Sequence, residues 1–175
     1  MKKYLALIFT LIIFATIHEG LHTIIATAYR EYNEFRVKPY GLEVIYKTPV
    51  EERHGIKWGF ISGTSNIATV LLGYLIFAFK KRFEKHQNDF IRALAYWLII
   101  YLLFLDPLNL SIGSLFYGGD INGIVVGFGI SRWVTQGIFF LVFFLNRELV
   151  AREVLPTFGV KTNHPLFRPW IAQNR

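Results

Sequence analysis

The chain has 175 residues and a formal net charge of +7, is 53% hydrophobic and 17% aromatic, and contains no cysteine. So apolar a composition is unusual for a water-soluble domain, and the missing cysteines exclude a disulfide framework and any thiolate metal site. The positive charge does not read as a nucleic-acid footprint, because 12 of the 19 basic residues fall in three short stretches, "MKK", "KKRFEKHQNDFIR" and the tail after Asn146.

Four apolar runs stand between the polar stretches, approximately Tyr4 to Ala28, Trp58 to Phe79, Phe90 to Leu105 and Trp133 to Leu145. Each approaches the roughly 20 residues that a helix needs to cross a hydrocarbon core. The third and fourth are short as drawn, with Leu108 to Leu110 and Ile124 to Ile130 available to extend or precede them. The pattern predicts a single all-α polytopic membrane domain over residues 1–175, with about four transmembrane helices in a lipid bilayer. If four helices alternate, the three basic stretches lie on one side. The positive-inside tendency then puts both termini and the "KKRFEK" loop in the cytoplasm.

The first run begins with a basic "MKK" and has "ATA" at Ala26 to Ala28, two features of a secretory leader. It is nevertheless too long for an ordinary leader core and carries "HEGLH" inside it, so it is expected to remain as the first crossing. Ionisable groups within a membrane span are expensive and persist where they pair, face a wet cavity or do chemistry. On a helix, positions four apart share a face, so His18 and His22 can direct two imidazoles at one ion. Glu19 follows one residue on, beside the ion's open position. Two neutral imidazoles and a carboxylate suit zinc, whose bound water is acidic near neutral pH. In that setting Glu19 would take the water's proton and pass it to a leaving amine, the arrangement for metal-assisted peptide hydrolysis. The plainer reading is a pair of helix-packing histidines with Glu19 as their ion partner.

After the first run comes "EFRVKPYGLEVIYKT", in which Phe35, Val37, Leu42, Val44 and Tyr46 alternate with polar residues around "PYG". That alternation predicts a short hairpin, either a cover for the site or a strand edge that holds an extended substrate. A third protein ligand for the metal has few candidates. His54, His86 and His164 lie in polar connections, and the carboxylates in or beside apolar stretches are Asp106 in "FLDPLNL" and Asp120 in "FYGGDINGI". The pair Gly118 and Gly119 would let a turn carry Asp120 into the bundle, whereas Asp106 before Pro107 reads as a turn or helix end. The tail "REVLPTFGVKTNHPLFRPW" has prolines and interfacial aromatics, and is expected to lie along the membrane surface.

These stretches together resemble the site-2 protease family of intramembrane zinc metalloproteases, as a small, minimal-core member. The likeness covers "HEGLH", then "EFRVKPYGLEVIYKT", then "ISGTSNIATVLLG" and "NLSIGSLFYGGDING", up to about Gly123. It implies one Zn2+ per chain held by His18, His22 and Asp120, with Glu19 as the catalytic base. It also implies that Asn66 and Asn109 are polar groups near the substrate carbonyl. The chain departs from the family pattern in having no proline ahead of Asn66, and in the eleven positions that separate Asn109 from Asp120. The expected activity is a zinc metalloendopeptidase acting on transmembrane or membrane-associated protein substrates, with no nucleic-acid partner. The contrasting expectation is a non-catalytic membrane metal-binding or scaffold protein derived from the same fold.

Overall fold

The computed structural model describes residues 2–39 and 41–170, mostly as helix with one two-stranded sheet. Helix α1 (Lys2–Ala28) leads through strands β1 (Tyr32–Lys38) and β2 (Gly41–Tyr46) into α2 (Lys57–Ala78). A short α3 (Lys80–Glu84) turns the chain into α4 (Asp89–Ser111), and α5 (Gly119–Phe128) and α6 (Arg132–Leu149) follow.

Three of these helices, α1, α2 and α4 with the turn that continues it to Leu115, are long and apolar enough to cross a membrane. The expected fourth crossing is not among them. Its run, Trp133 to Leu145, lies inside α6, but the 18 residues of that helix include Arg132, Arg147 and Glu148. The chemistry of inside and outside is reversed from that of a water-soluble domain. Leu5, Ile8, Ile12 and Ile24 of α1 and Ile67, Leu71 and Leu75 of α2 are exposed, while Thr10, His18, His22, Ser65, Asn66, Thr69, Asp106 and Asn146 are buried. Such a surface suits an apolar solvent, in which polar groups must find partners inside the bundle.

The hairpin is present where the alternation predicts it. Its strands are antiparallel, with Lys38 opposite Gly41 and Phe35 opposite Val44, and one extra residue on β1 between Tyr32 and Glu34. At its base, Glu31 accepts hydrogen bonds from Lys57 Nζ (2.6 Å) and Thr48 Oγ1 (2.7 Å), which ties the end of α1 to the start of α2. Ala26, Trp58 and Ile61 bury a small apolar core at the same junction.

Asp106 and Pro107 do not end a helix, contrary to the turn expected there: α4 runs through both to Ser111. A proline inside a helix deprives the carbonyl four residues earlier of its donor. That carbonyl is Leu103 O, and Asn146 Nδ2 of α6 donates to it across 2.7 Å. Tyr74 of α2 in turn donates to the Asn146 side-chain oxygen, so one asparagine joins three helices.

Helices α2 and α5 approach through facing small residues, Gly59 and Gly63 against Gly123 and Gly127. A Cβ at Gly127 would overlap the backbone nitrogen and Cα of Gly59, and one at Gly123 would overlap the Ser62 side chain. Glycines four apart on both helices let the backbones touch, the usual way in which helices associate closely without a hydrophobic driving force. Gly119, at φ +52, takes the left-handed conformation that aims the first turn of α5 into the bundle.

At the opposite end, Lys2 and Lys3 of α1, Arg92 of α4 and Phe158 and Val160 of the tail line one cavity. The tail folds back on the end of α6. Buried Arg147 donates to the carbonyls of Pro165, Leu166 and Arg168, and its guanidinium stacks on Trp170 at 4.1 Å.

Candidate metal centre

The site is assembled from α1, α2, α4 and α5. Helical spacing places His18 and His22 on the buried face of α1, with Nε2 atoms 3.2 Å apart. Asp120, in the first turn of α5, brings Oδ2 to 3.3 Å from each of them. These three side chains form the only group of metal-ligand type among the described residues.

The outer nitrogens of the two imidazoles settle what the inner ones can do. His22 Nδ1 lies 2.7 Å from the carbonyl oxygen of Ile61, which can only accept, so Nδ1 carries the proton. His18 Nδ1 faces Asp106 Oδ1 at 3.1 Å and Oδ2 at 3.4 Å, and donates to that carboxylate. With Nδ1 protonated, a neutral imidazole presents Nε2 as a lone pair. Two nitrogen lone pairs and a carboxylate oxygen therefore converge within about hydrogen-bond distance of one another. The Ser65 hydroxyl and the Asn66 amide relieve part of the repulsion at His22 Nε2 and Asp120 Oδ2, and a proton or a metal ion among the three atoms would relieve the rest. The spacing also fits zinc: ligands at roughly 2.0–2.1 Å in tetrahedral geometry are separated by about 3.3 Å along each edge.

Each inner group is held by a second one. Asp106 is fixed by Thr69 as well as by His18, an arrangement of carboxylate, histidine and metal position that orients the ring and raises its basicity. Asn66 donates from Nδ2 to Asp120 Oδ2 (2.9 Å) and to Ser62 O (2.7 Å). Ser65 Oγ lies 2.8 Å from His22 Nε2. The expected role of Asn66 beside a substrate carbonyl is thus not what its contacts show, since both its amide hydrogens are committed and the residue is fully buried. Asn109 lies apart from the cluster, with its side-chain oxygen accepting from Tyr117.

Glu19 is half-buried and lines a cavity of about 420 Å³ together with His22 and Asp120. The hairpin forms the far wall, where Glu43, Val44, Ile45 and Tyr46 of β2 line the cavity. Two further wall residues were not singled out by any motif. Tyr46 packs edge-on against Trp58, and its hydroxyl has no hydrogen-bond partner among the described residues. Burial, and then the carboxylates of Asp120 and Glu19, push this phenol above its ordinary pKa, so that it keeps its proton as a donor. Arg53 lies over both rings, 4.9 Å from the centre of Tyr46 and 4.5 Å from that of Trp58.

Comparison of the chain with protein-family models, with curated proteins and with solved structures finds no match. The functional reading therefore rests on the residues and their arrangement.

Proposed function

We propose that this chain is an integral membrane zinc metalloprotease that hydrolyses peptide bonds of membrane-embedded or juxtamembrane substrates. The observation that carries the reading is the convergence of His18 Nε2, His22 Nε2 and Asp120 Oδ2 at 3.2–3.3 Å, with both Nδ1 protons accounted for. A pair of packing histidines would need no third ligand at that spacing, and no carboxylate base beside it.

Zinc at these three atoms would supply a Lewis acid with an open position, at which a water becomes acidic near neutral pH. Glu19, on the cavity wall, accepts the proton that the attacking water loses as its oxygen bonds to the peptide carbonyl carbon. It returns that proton to the amine as the C–N bond breaks. The Tyr46 hydroxyl, a donor free to face the substrate, stabilises the charge that builds on the carbonyl oxygen. Asp106 and Asn66 do not touch substrate in this scheme; they hold His18 and Asp120 in place. Strand β2 borders the same cavity and offers an extended peptide a backbone edge.

We assign the amino terminus and the α3 turn to the cytoplasm on the strength of their basic residues, and the carboxy terminus with them because the chain after α6 returns to the cavity lined by Lys2 and Lys3. The hairpin and the metal centre then lie towards the opposite face. A reporter fused to the carboxy terminus tests this, and a non-cytoplasmic signal would overturn the assignment.

The test of the activity compares wild type with Glu19→Gln, both purified and reconstituted with an isotope-labelled membrane-protein fraction. Wild type is expected to hold one zinc and to generate new peptide amino termini. Glu19→Gln is expected to hold the same zinc and to generate none. New termini from Glu19→Gln would refute the assigned base, and zinc in both proteins with no new termini from either would favour a non-catalytic metal-binding protein.

A further inference from the structure

We propose that Arg53 forms a carboxylate-binding subsite beside the metal centre, which selects substrates carrying an acidic group at one fixed distance from the bond that is cut. The proposal rests on the peptidase reading for the identity of the ligand as a peptide.

Arg53 lies in the connection between β2 and α2, outside the apolar spans. Its guanidinium is held from three directions without being neutralised. The rings of Tyr46 and Trp58 lie against it, and Nε donates to the Thr48 carbonyl at 3.2 Å. Stacking of this kind leaves the edge of the planar fork free, and that fork matches a carboxylate in two parallel hydrogen bonds. Among the described residues no carboxylate forms an ion pair with it. Of the two acids in its vicinity, Glu31 is occupied by Lys57 and Thr48, and Glu51 forms no ion pair with it.

The surroundings give that free fork a function. The cavity that Arg53 lines with Glu19 and Asp120 also contains Glu43, and Arg53 is the one Lys or Arg among its described lining residues. Apart from a metal ion at the three ligands, an acidic group on a bound peptide meets Glu19, Asp120 and Glu43, the last already paired with Lys38 at 2.6 Å, and one fixed side-chain cation, Arg53. The subsite therefore reads position as well as charge. Tyr46 connects the two functions, because its ring supports Arg53 while its hydroxyl belongs to the reaction site. The location suits a membrane substrate too: an acidic side chain is inexpensive where the chain leaves the apolar span, and costly within it.

The test measures binding rather than turnover, using the Glu19→Gln protein in detergent with and without zinc. The probes are fluorescein-labelled dodecapeptides of Gly, Ala and Val, in which one Glu or one Gln occupies each position in turn. Each is made with a free and with an amidated carboxy terminus. The expected result is a single position at which Glu binds about tenfold tighter than Gln, the size of a charge-assisted pair, with Glu neutral or unfavourable elsewhere. Adding Arg53→Gln is expected to abolish the preference, and Arg53→Lys to leave a reduced one, since the charge remains while the stacked fork is lost. A preference that follows the free terminus instead of the Glu position would assign the subsite to a terminal carboxylate. Equal binding of all the peptides to the Arg53 protein overturns the proposal, as does a preference that survives Arg53→Gln. If Arg53→Gln fails to fold, the position scan on the Arg53 protein and the Arg53→Lys variant still decide. A positional preference without any cleavage by wild type would remove the peptidase reading and keep the subsite. Cleavage without the preference would do the reverse.

Discussion

Replacing Asp106 by Ala separates the two acids that a metal site in this chain could use. In the fold Asp106 does not reach the converging atoms; it accepts hydrogen bonds from His18 Nδ1 and Thr69 Oγ1. Thr69 has other acceptors, the carbonyls of Ser65 (2.9 Å) and Asn66 (3.0 Å), so the variant orphans one buried donor, His18 Nδ1–H. An unsatisfied buried donor costs about 1–3 kcal/mol. Loss of an outer partner weakens metal binding roughly 10–100-fold, or about 1.4–2.8 kcal/mol. Asp106→Ala should therefore bind zinc measurably but one to two decades more weakly. Asp106→Asn, whose amide oxygen still accepts from His18, should fall between it and wild type. Asp120→Ala removes a ligand and should lose stoichiometric zinc altogether. The assay is competition titration against a chelator of known affinity, with total metal measured on the dialysed protein. Full retention in Asp120→Ala together with loss in Asp106→Ala would reverse the ligand assignment. A wild type that takes up no zinc would refute the metal-site assignment.

The close contact of α2 and α5 predicts that Gly127→Leu, at the opposite end of α5 from Asp120, also loses zinc, because the added side chain must push α5 and Asp120 away from Asn66 and the histidines; unchanged zinc content would break that link. Asn146→Leu leaves the Leu103 carbonyl without a donor and should destabilise the protein by about 0.5–2 kcal/mol. Adding Pro107→Ala restores the helix's own donor and should recover part of the loss, as read from thermal unfolding of both variants; additive effects would contradict the pairing. The hydrogen bond from Lys57, with that from Thr48, holds the Glu31 carboxyl below its ordinary pKa. A depressed folded-state pKa contributes stability that is present above the unfolded value and lost as pH falls through the folded one. The stability gap between wild type and Lys57→Met should therefore be open at neutral pH and close on acidification below the usual glutamate range, and a gap independent of pH would refute the coupling.

Much of the local structure was legible from the order of residues alone. Apolar runs located the long helices, alternation located the hairpin, and helical periodicity put His18 and His22 on one face with Glu19 beside them, because each of these depends on neighbours within a turn or a strand. Three of the four expected spans are helices long and apolar enough to cross a membrane, whereas α6 takes Arg132, Arg147 and Glu148 into the same helix as its apolar run, which the run alone does not show. Pro107 was misread for a related reason: whether a proline ends a helix depends on whether a distant donor, here Asn146, takes the carbonyl it frees.

The choice between Asp106 and Asp120 was a tertiary decision. Both acids lie in apolar surroundings some ninety residues from the histidines, and local chemistry does not distinguish a ligand from the partner of a ligand. The small residues at Gly59, Gly63, Gly123 and Gly127 set how closely α5 approaches α2, and that approach puts Asp120 on the Nε2 side of the imidazoles while α4 keeps Asp106 on the Nδ1 side. The same packing turned Asn66 away from the cavity and towards Asp120. It left the cavity wall to Tyr46 and Arg53, two hairpin-side residues whose spacing in sequence carries no motif. The sequence by itself determined which side chains begin the site; the distances at which helices close determined which ones complete it.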